Sequence, residues 1–521
     1  MKNIYFSMQS GIICHYLNDE NMPKSNNQVF IQKKKYRIMK KIITIYLLIL
    51  IPLFVYSQYG GDGWSTIQVL NGEQSEEAFG FINKINATGD ALIVGAPYNN
   101  STTGYTKVFQ SINGVWQQKG QKIIGLEQGA GSGKTVDINT SGNIIAVGDP
   151  WKSGGKVRAF KYNDTSSNWE QLGQTIKGTA GLGNVLSLSS DGSTIATNNR
   201  GDSIRVYKYV NNSWNQVGET INDNSPFENY FGLSDIKLTC DGNTIVIGAK
   251  QPYSGNTLTG YAKVYKLENN NWVLKGNAIQ GSFLGGEFGQ SVSISEDGNI
   301  VAISAPNVNT TGSGGNYTDK GHVYTYKYNE AQSTWEQFGQ TFEGSTVGEY
   351  YGYSISLTPD AKYLAIGAYG ANDWQGIAKV YEYNSSQNIW NQVGGDISGL
   401  QDSYVYFGVS VSISADGKIL AGGAVPEGNT GNVYVFENAA LLATNDIKSK
   451  SGVIYPNPTK DFIHIQNNKN IQSLQIYNAE GRLLMEANKQ PLDLSGLNSG
   501  NYILKITYDN QQTDTKKIIK Q

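Results

Sequence analysis

Side chains suited to nucleophilic or metal chemistry are scarce in this chain. Its 521 residues include three histidines and two cysteines, and of these only His322 and Cys240 fall within the long central region. A Ser-His-Asp triad or a zinc site needs several such groups close together. We therefore predict no catalytic residues, no metal site and no cofactor. His322 is interpreted as the filler of a variable position at the start of a strand.

One segment suggests nucleotide binding at first sight. Residues 129–135 read GAGSGKT, which resembles a phosphate-binding loop. That motif needs a glycine five residues before Gly133, where Gln128 stands, and a helix must follow so that its N-terminal amides can hold the phosphate. The repeat described below predicts that Gly133 begins a strand, so we reject a nucleotide site.

The overall charge of the chain argues against nucleic acid and anionic lipid as partners. The formal net charge is -2, and charged residues make up 16% of the chain. Such a surface has no field that would attract nucleic acid or anionic lipid. The 43 acidic residues still leave room for a pair of carboxylates that could cleave glycosidic bonds. A polysaccharide-degrading hydrolase or lyase therefore remains the alternative to a binding protein.

The elements that must position any site are visible as a repeat. Seven tryptophans each begin a segment resembling W-x-Q-x-G-x-x-I-x-G, and by subtraction they lie 45 to 63 residues apart. They are Trp64, Trp116, Trp169, Trp214, Trp272, Trp335 and Trp390. A phrase that recurs at this spacing indicates one supersecondary unit repeated in space.

The unit itself is a run of short strands. Around Phe288 the apolar alternation predicts strands at 291–295, 300–305 and 321–326, and a fourth strand begins at the next tryptophan. The Asp297-Gly298 pair predicts a two-residue hairpin turn in which both residues have positive φ. Seven units of four antiparallel strands predict an all-β fold, a seven-bladed β-propeller.

The ends of the repeat region predict how the ring closes. The seventh unit runs from Phe407 to Phe436 and stops before any tryptophan strand. The missing strand stands at the other end of the region, from Trp64 to Val69. We expect this N-terminal strand to pair near Val433, which would complete the last blade and remove two exposed edges.

The variable loops of the repeat are where we expect ligand contact. Trp151 and Trp374 fall outside the repeated segments, in loops between second and third strands. Variable loops on a rigid scaffold commonly carry function, and exposed aromatic rings suit sugars or protein hot spots. The candidate ligand-binding residues are Trp151, Trp374, Tyr253, Tyr369, Tyr404 and Tyr406, with Tyr98 and Tyr317 on the same rim.

The repeat region, about residues 60–438, resembles FG-GAP repeats. The resemblance rests on Phe288-Gly289 at the head of a first strand and Gly95-Ala96-Pro97 at the end of a second. FG-GAP repeats build the seven-bladed propeller of integrin α chains and many bacterial surface proteins. Calcium-binding members carry an acidic D-x-D-x-D-G loop between the first two strands. Here that loop has at most one or two carboxylates, as at 296–298, so calcium is not carried over.

The N-terminal region predicts export. Met39-Lys40-Lys41 precedes an apolar run over 42–55, and this pattern is typical of a secretory signal. We predict a signal peptide over 39–57 with cleavage between Ser57 and Gln58, which leaves no stable transmembrane span. Residues 1–38 are interpreted as an upstream extension from a misassigned start, and an unusually long N-terminal part of the signal is the alternative.

Residues 451–521 form a separate module after a linker at 439–450. Alternating strands with turn residues between them predict a small β-sandwich. The module resembles the type A C-terminal sorting domain of type IX secretion. The resemblance rests on the Y-P-N-P opening, the I-Y-N-x-x-G-R-L centre and the S-G-N-Y close, and its motif residues are Tyr455, Pro456, Asn457, Pro458, Gly481 and Gly500.

Together these features predict a function and a location. The propeller is assigned to residues 58–438. We expect a non-enzymatic binding or adhesion protein that recognises a glycan or a protein through one propeller face. The sorting resemblance implies that type IX machinery exports it to the outer surface or medium of a Gram-negative bacterium. A purely structural surface-layer component is a third possibility.

Overall fold

The structure, a computed structural model, describes most of the repeat region and much of the C-terminal module. The described residues are 63–199, 203–223, 231–232, 234–250, 259–308, 320–399, 404–438, 453–455, 459–466, 471–478, 482–487, 491–508 and 513–520. They are nearly all β, as predicted. Two four-residue helical turns, Asn99–Thr102 and Ala371–Trp374, interrupt the strands.

Seven antiparallel sheets make up the described part of the repeat region. We number them 1 to 7 by the chain position of their first strands. Each contains the four predicted strands, and sheets 1 to 5 add a fifth strand of two residues that pairs with the third. Sheet 1 comprises Ile82–Ile85, Ala91–Ala96, Tyr105–Ile112, Val115–Gln118 and Ile123–Ile124. Sheet 2 comprises Thr135–Ile138, Ile144–Asp149, Lys156–Asn163, Asn168–Gln171 and Ile176–Lys177. Sheet 3 comprises Leu186–Leu188, Thr194–Asn198, Ser203–Val210, Ser213–Gln216 and Ile221–Asn222.

The remaining four sheets repeat the arrangement. Sheet 4 comprises Ile236–Leu238, Thr244–Ala249, Tyr261–Glu268, Asn271–Leu274 and Ile279–Gln280. Sheet 5 comprises Val292–Ile294, Ile300–Ala305, His322–Asn329, Thr334–Gln337 and Phe342–Glu343. Sheet 6 comprises Ser354–Leu357, Tyr363–Ala368, Ile377–Asn384 and Ile389–Gln392. Sheet 7 comprises Ser410–Ile413, Ile419–Ala424, Asn432–Asn438 and, from the N-terminal side, Trp64–Asn71.

The contacts between sheets are propeller-like. The first strand of each sheet contacts the first strand of the next, and that of sheet 7 contacts that of sheet 1. The strand Trp64–Asn71 pairs antiparallel with Asn432–Asn438, with Trp64 opposite the last residue of its partner and Leu70 opposite Val433. The apolar clusters lie between neighbouring sheets and contain fully buried second strands such as Ala91–Ala96.

The tryptophan segment has a direct physical role in this stacking. Trp169 is buried, and its indole Nε1 donates to the Lys119 carbonyl of the preceding sheet at 2.8 Å. Gly120 has φ of +70°, and a Cβ there would lie 2.8 Å from Trp169 Cδ1. Only glycine fits both the conformation and the ring at that point. Each W-x-Q-x-G copy therefore joins one sheet to its neighbour.

A glutamine reinforces four of the junctions, and in three of them it directly follows that glycine. Gln121 donates from Nε2 to the Trp169 carbonyl at 2.7 Å and accepts from the Trp169 backbone N at 2.7 Å. The same reciprocal pair joins Gln68 to Trp116, Gln174 to Trp214 and Gln340 to Trp390. We call this arrangement the glutamine clasp.

The prediction for the Asp-Gly turns was wrong in its backbone detail. Among the described residues Gly192 has positive φ and Asp191 does not. The turn is longer than two residues, because Ser189 N bonds Thr194 O across it. The Asp191 carboxylate accepts from the Ser189 hydroxyl at 2.6 Å and from Ser193 N at 2.8 Å. The aspartate therefore holds the turn with its side chain, and left-handed backbone is needed only at the glycine.

The C-terminal module has two sheets. The smaller contains Val453–Tyr455, Phe462–Gln466 and Leu492–Asp493, and the larger contains Leu483–Ala487, Ile471–Tyr477, Gly500–Tyr508 and Thr513–Lys520. Ile463 from the smaller sheet packs in one apolar cluster with Leu474, Leu504 and Ile518 from the larger. Leu492 belongs to the same cluster, so the two sheets share a core.

Several predicted features lie outside the described residues. They are the extension 1–38, the signal peptide with Ser57 and Gln58, the linker 439–450, the rim tyrosines Tyr253 and Tyr317, and the sorting-motif residues Pro456, Asn457, Pro458 and Gly481.

Candidate functional site

Two backbone positions at the rim are left-handed before the first strands of sheets 1, 2, 5, 6 and 7. They lie four and two residues before the glycine that leads the strand. Before sheet 2 both are glycines, Gly129 and Gly131, and both have positive φ. Before sheet 7 the same positions hold Tyr404, with φ of +63°, and Tyr406, with φ of +54°. A left-handed conformation costs an L-residue roughly 1–2 kcal/mol, so these tyrosines are held against their local preference.

The neighbouring loop of sheet 6 is bent in the same unusual way. Asn372, Asp373 and Trp374 have φ of +53°, +56° and +67° within the helical turn Ala371–Trp374. The Tyr406 backbone N donates to the Trp374 carbonyl at 3.0 Å. This bond ties the sheet 6 loop to the segment that precedes sheet 7, so their aromatic side chains come together.

Four of the six predicted ligand-binding residues form one aromatic group. The ring centroids of Trp374 and Tyr406 are 5.9 Å apart, and those of Tyr404 and Tyr406 are 6.4 Å apart. Tyr369 lies 5.8 Å from Trp374 and stacks on Tyr350 at 5.1 Å. The structure therefore brings together Trp374, Tyr369, Tyr404 and Tyr406 from two consecutive sheets.

An open cavity of about 720 Å³ lies beside this aromatic group. Trp374, Tyr404 and Tyr406 line it, together with Val347 and Asp373. Tyr369 does not line the cavity, but its ring packs against that of Trp374. Burial raises the pKa of Tyr406, with smaller contributions from Glu427 and Tyr404, so its hydroxyl stays neutral and can donate a hydrogen bond.

A second cavity of about 520 Å³ adjoins the first, because Tyr406 lines both. Its other walls include Tyr98 and Pro426, and the carboxylates Glu76 and Glu427. We call the two cavities together the rim groove. It spans the loops of sheets 6, 7 and 1.

Trp151 extends the aromatic surface beyond the groove. Its ring stacks on Tyr98 with centroids 5.1 Å apart and an interplanar angle of 29°. It lies over Gly131, where a Cβ would come within 2.2 Å of the indole, and 37% of Trp151 remains exposed. The structure does not place Trp151 beside Trp374. The two tryptophans stand at opposite ends of a row that runs through Tyr406 and Tyr98.

The charge of the rim groove is one-sided. Its lining residues include Glu76, Asp373 and Glu427 and contain no lysine, arginine or histidine. Among the described residues none of these three carboxylates takes part in an ion pair. They are available to accept hydrogen bonds from a ligand.

The first strands of the sheets face a different, mixed set of charges. A cavity of about 220 Å³ there is lined by residues of all seven sheets, including Lys84, Asp137, Asp235 and Lys237. Lys237 Nζ lies 3.1 Å from Asp137 Oδ2. Burial lowers the pKa of Lys84 and raises that of Asp235. Burial also opposes the charge on Lys237, but the carboxylates of Asp137 and Asp235 together favour it, and the pKa of this lysine is raised.

The residues considered for catalysis or nucleotide binding occupy structural places. His322 is 6% exposed, and its Nδ1 lies 2.9 Å from the Tyr324 hydroxyl. Gly133 leads directly into the strand Thr135–Ile138, and no helix follows it. Within the described ranges no group of three or more His, Cys, Asp or Glu side chains is arranged to hold a metal ion. No helix in those ranges is long and apolar enough to cross a membrane.

Sequence reasoning missed several groove residues. Asp373, Glu427, Glu76 and Val347 are polar or exposed loop positions that carry no aromatic signal. The left-handed positions give a usable clue. Glycine fills the position of Tyr404 before sheets 2, 5 and 6, so the tyrosine there departs from the repeat.

The sorting module presents part of its predicted motif in described strands. Tyr455 ends the strand Val453–Tyr455, and Gly500 begins the strand Gly500–Tyr508. The larger sheet exposes Leu483 and Ile503, which are 43% and 41% accessible.

Comparisons with known proteins bear mainly on this module. No curated protein matches the chain. Among solved structures, the chain is similar to one titled Kuenenia stuttgartiensis hydrazine synthase, with 14% identity, a TM-score of 0.49, and coverage of 70% of this chain and 97% of that chain. Residues 453–521 match the family model described as the secretion system C-terminal sorting domain. This segment is therefore a sorting domain, which implies handling by type IX machinery and indicates a secreted or cell-surface protein.

Proposed function

We propose that this secreted or cell-surface protein is a non-enzymatic binding or adhesion protein, which recognises a glycan or a protein through the rim groove. The observation that carries the proposal is the grouping of Trp374, Tyr404 and Tyr406 around one open cavity on the variable-loop face. Partly exposed aromatic rings on a rigid scaffold offer a large contact area at a small loss of side-chain entropy.

The scaffold proposed for this function is a seven-bladed FG-GAP-type propeller closed by the N-terminal strand. The pairing of Trp64–Asn71 with Asn432–Asn438 and the contacts between successive first strands support it. Phe288 and Gly289 also support it, because this pair packs as the repeat requires. Phe288 is buried, and a Cβ on Gly289 would lie 2.6 Å from the Tyr261 carbonyl oxygen.

The strained position of Tyr404 supports a binding role over a purely structural one. Gly129, Gly285 and Gly348 fill the equivalent position before sheets 2, 5 and 6 with positive φ, whereas the position of Tyr406 also holds Ala78 and Glu287 with positive φ. Residues held in costly conformations concentrate at functional sites. Tyr404 is also 59% exposed, so packing does not account for it.

Binding assays on the full exported chain test the proposal. Glycan and protein arrays are compared for wild type, Trp374→Ala, Tyr406→Ala and Leu274→Ala, the last an exposed outer-strand control that is 41% accessible. Selective binding that the first two substitutions weaken at least tenfold, with the control unchanged, is the expected result. Release of cleaved product from any bound polysaccharide would favour the hydrolase or lyase alternative. Absence of binding in wild type would favour a structural component.

A further inference from the structure

The two cavities of the rim groove adjoin at one shared wall residue. Tyr406 is shared by both, and Tyr98 continues the row to Trp151 through a stacked contact of 5.1 Å. The row contains aromatic rings from the loops of sheets 6, 7, 1 and 2. A row of rings from four loops fits several units of a polymer better than one small molecule.

Each of three ring positions in this row has a carboxylate in its neighbourhood. Asp373 precedes Trp374 in the chain and lines the same cavity, while Glu427 acts electrostatically on Tyr406. Glu76 lines the second cavity together with Tyr98. Aromatic faces cover the apolar faces of sugar rings, and carboxylates accept strong hydrogen bonds from hydroxyl or ammonium groups.

The same charges exclude another class of polymer. In the part of the chain that the structure describes, no basic side chain lines either cavity, so a chain of uronates or sulfated sugars would bring its negative charges against three uncompensated carboxylates. Like charges placed together oppose binding and set specificity.

We infer that the rim groove binds a polysaccharide whose sugar rings carry no carboxylate or sulfate groups, either neutral or bearing amino groups. The inference rests on the binding function proposed above and narrows its ligand. A lysine-rich peptide also has the favourable charge, but it lacks a row of sugar rings whose apolar C–H faces could stack on the aromatic side chains. The geometry therefore favours the sugar polymer.

The test compares polymers of different charge on the full exported chain. A neutral β-glucan, partly deacetylated chitin and polygalacturonate of matched length are titrated calorimetrically, with polylysine as a fourth probe. We expect the glucan or the chitin derivative to bind and polygalacturonate not to bind. Tyr406→Ala should weaken that binding at least tenfold, and Leu274→Ala should leave it unchanged.

The second part of the test removes negative charges from the groove. The double substitution Asp373→Asn with Glu427→Gln should raise the affinity for polygalacturonate at least fivefold. Tyr404→Ala, at an exposed position, replaces Tyr406→Ala if that variant does not fold.

The outcomes separate the inference from the proposed function. Wild-type binding of polygalacturonate or of polylysine alone, lost in Tyr406→Ala, would overturn the inference and leave the binding function standing. Binding of any probe that neither tyrosine substitution changes would overturn both as assigned to this groove. No binding to any of the four probes would also overturn the inference.

Discussion

At the scale of one residue, substitution of Tyr404 should affect ligand binding and folding stability differently. It has φ of +63° and is 59% exposed, whereas Gly129 fills the equivalent position before sheet 2. We predict that Tyr404→Gly keeps or raises the free energy of unfolding, by up to about 1 kcal/mol, because glycine removes the left-handed penalty. Ligand affinity should fall with loss of the ring.

Chemical denaturation and ligand titration of the same sample check both halves of this prediction. Tyr404→Ala serves as the control, since it removes the ring but keeps a Cβ at positive φ. If Tyr404→Gly were less stable than Tyr404→Ala, the interpretation of this position as a strained contact residue would fail.

Lys134, also at the scale of one residue, makes a contribution to folding stability that depends on pH. Burial lowers the pKa of its ammonium from 10.5 to about 8, with a smaller effect from Lys250, although Nζ lies 3.9 Å from the centre of the Phe81 ring. Between about pH 8 and 10.5 the unfolded chain keeps this proton while the folded chain loses it. Stability therefore rises with pH through that window, and the penalty is fully present below it.

We predict that Lys134→Met is more stable than wild type at pH 7 by roughly 1–3 kcal/mol, and that this advantage shrinks as the pH approaches 10. Urea denaturation of both proteins at pH 7, 8.5 and 10 measures the difference. Lys208→Met, at an exposed strand position, controls for general lysine titration. A difference that stays constant across the three pH values would contradict the prediction.

The glutamine clasp belongs to the scale of the element, because it joins whole sheets. Gln174 donates to the Trp214 carbonyl at 2.7 Å and accepts from Trp214 N at 2.9 Å. We predict that Gln174→Ala lowers the free energy of unfolding by about 1–2 kcal/mol, since two hydrogen bonds between sheets 2 and 3 are lost. Gln171→Ala is the matched control, because that amide bonds Gly173 within its own sheet. Equal losses in the two variants would argue against the clasp.

The junction before Trp272 offers the reverse experiment. Glu219 stands where the clasp glutamine stands elsewhere, and a carboxylate cannot donate to the Trp272 carbonyl. We predict that Glu219→Gln raises the free energy of unfolding by about 0.5–1.5 kcal/mol by completing the pair. The shift in denaturation midpoint measures the gain, and Glu219→Ala should show none.

Much of this element-level order could be predicted from the sequence, because strand alternation and the tryptophan phrase report local rules. The turn conformation at Asp191-Gly192 could not, since the aspartate side chain stabilises a longer turn than the dipeptide suggests. At the rim, Trp374 and Tyr406 were identified as candidates from composition and position. Their shared cavity could not be predicted, because it depends on left-handed loops and on contacts between neighbouring sheets.

At the scale of the whole molecule, the ends of the repeat region meet in one sheet. The strand Trp64–Asn71 completes sheet 7, and its first residue lies opposite Asn438. Trp64 is buried, and its Nε1 donates to the Val393 carbonyl of sheet 6 at 2.9 Å. The N-terminal strand therefore makes the same indole-to-carbonyl contact between sheets 6 and 7 that Trp169 makes between sheets 1 and 2.

Because Asn438 and Trp64 are direct antiparallel partners, a two-residue turn can join them. We predict that a permuted repeat region beginning at Gly72 and ending at Asn71, with an Asn-Gly turn between Asn438 and Trp64, folds with a free energy of unfolding within about 1 kcal/mol of the unpermuted region 63–438. Deleting 64–71 instead should expose the edge of Asn432–Asn438 and cause association. Denaturation curves and light scattering compare the three proteins. A permuted protein that unfolds or aggregates like the deletion would show that this strand works only from the N-terminal side, and the proposed closure of the ring would fail with it.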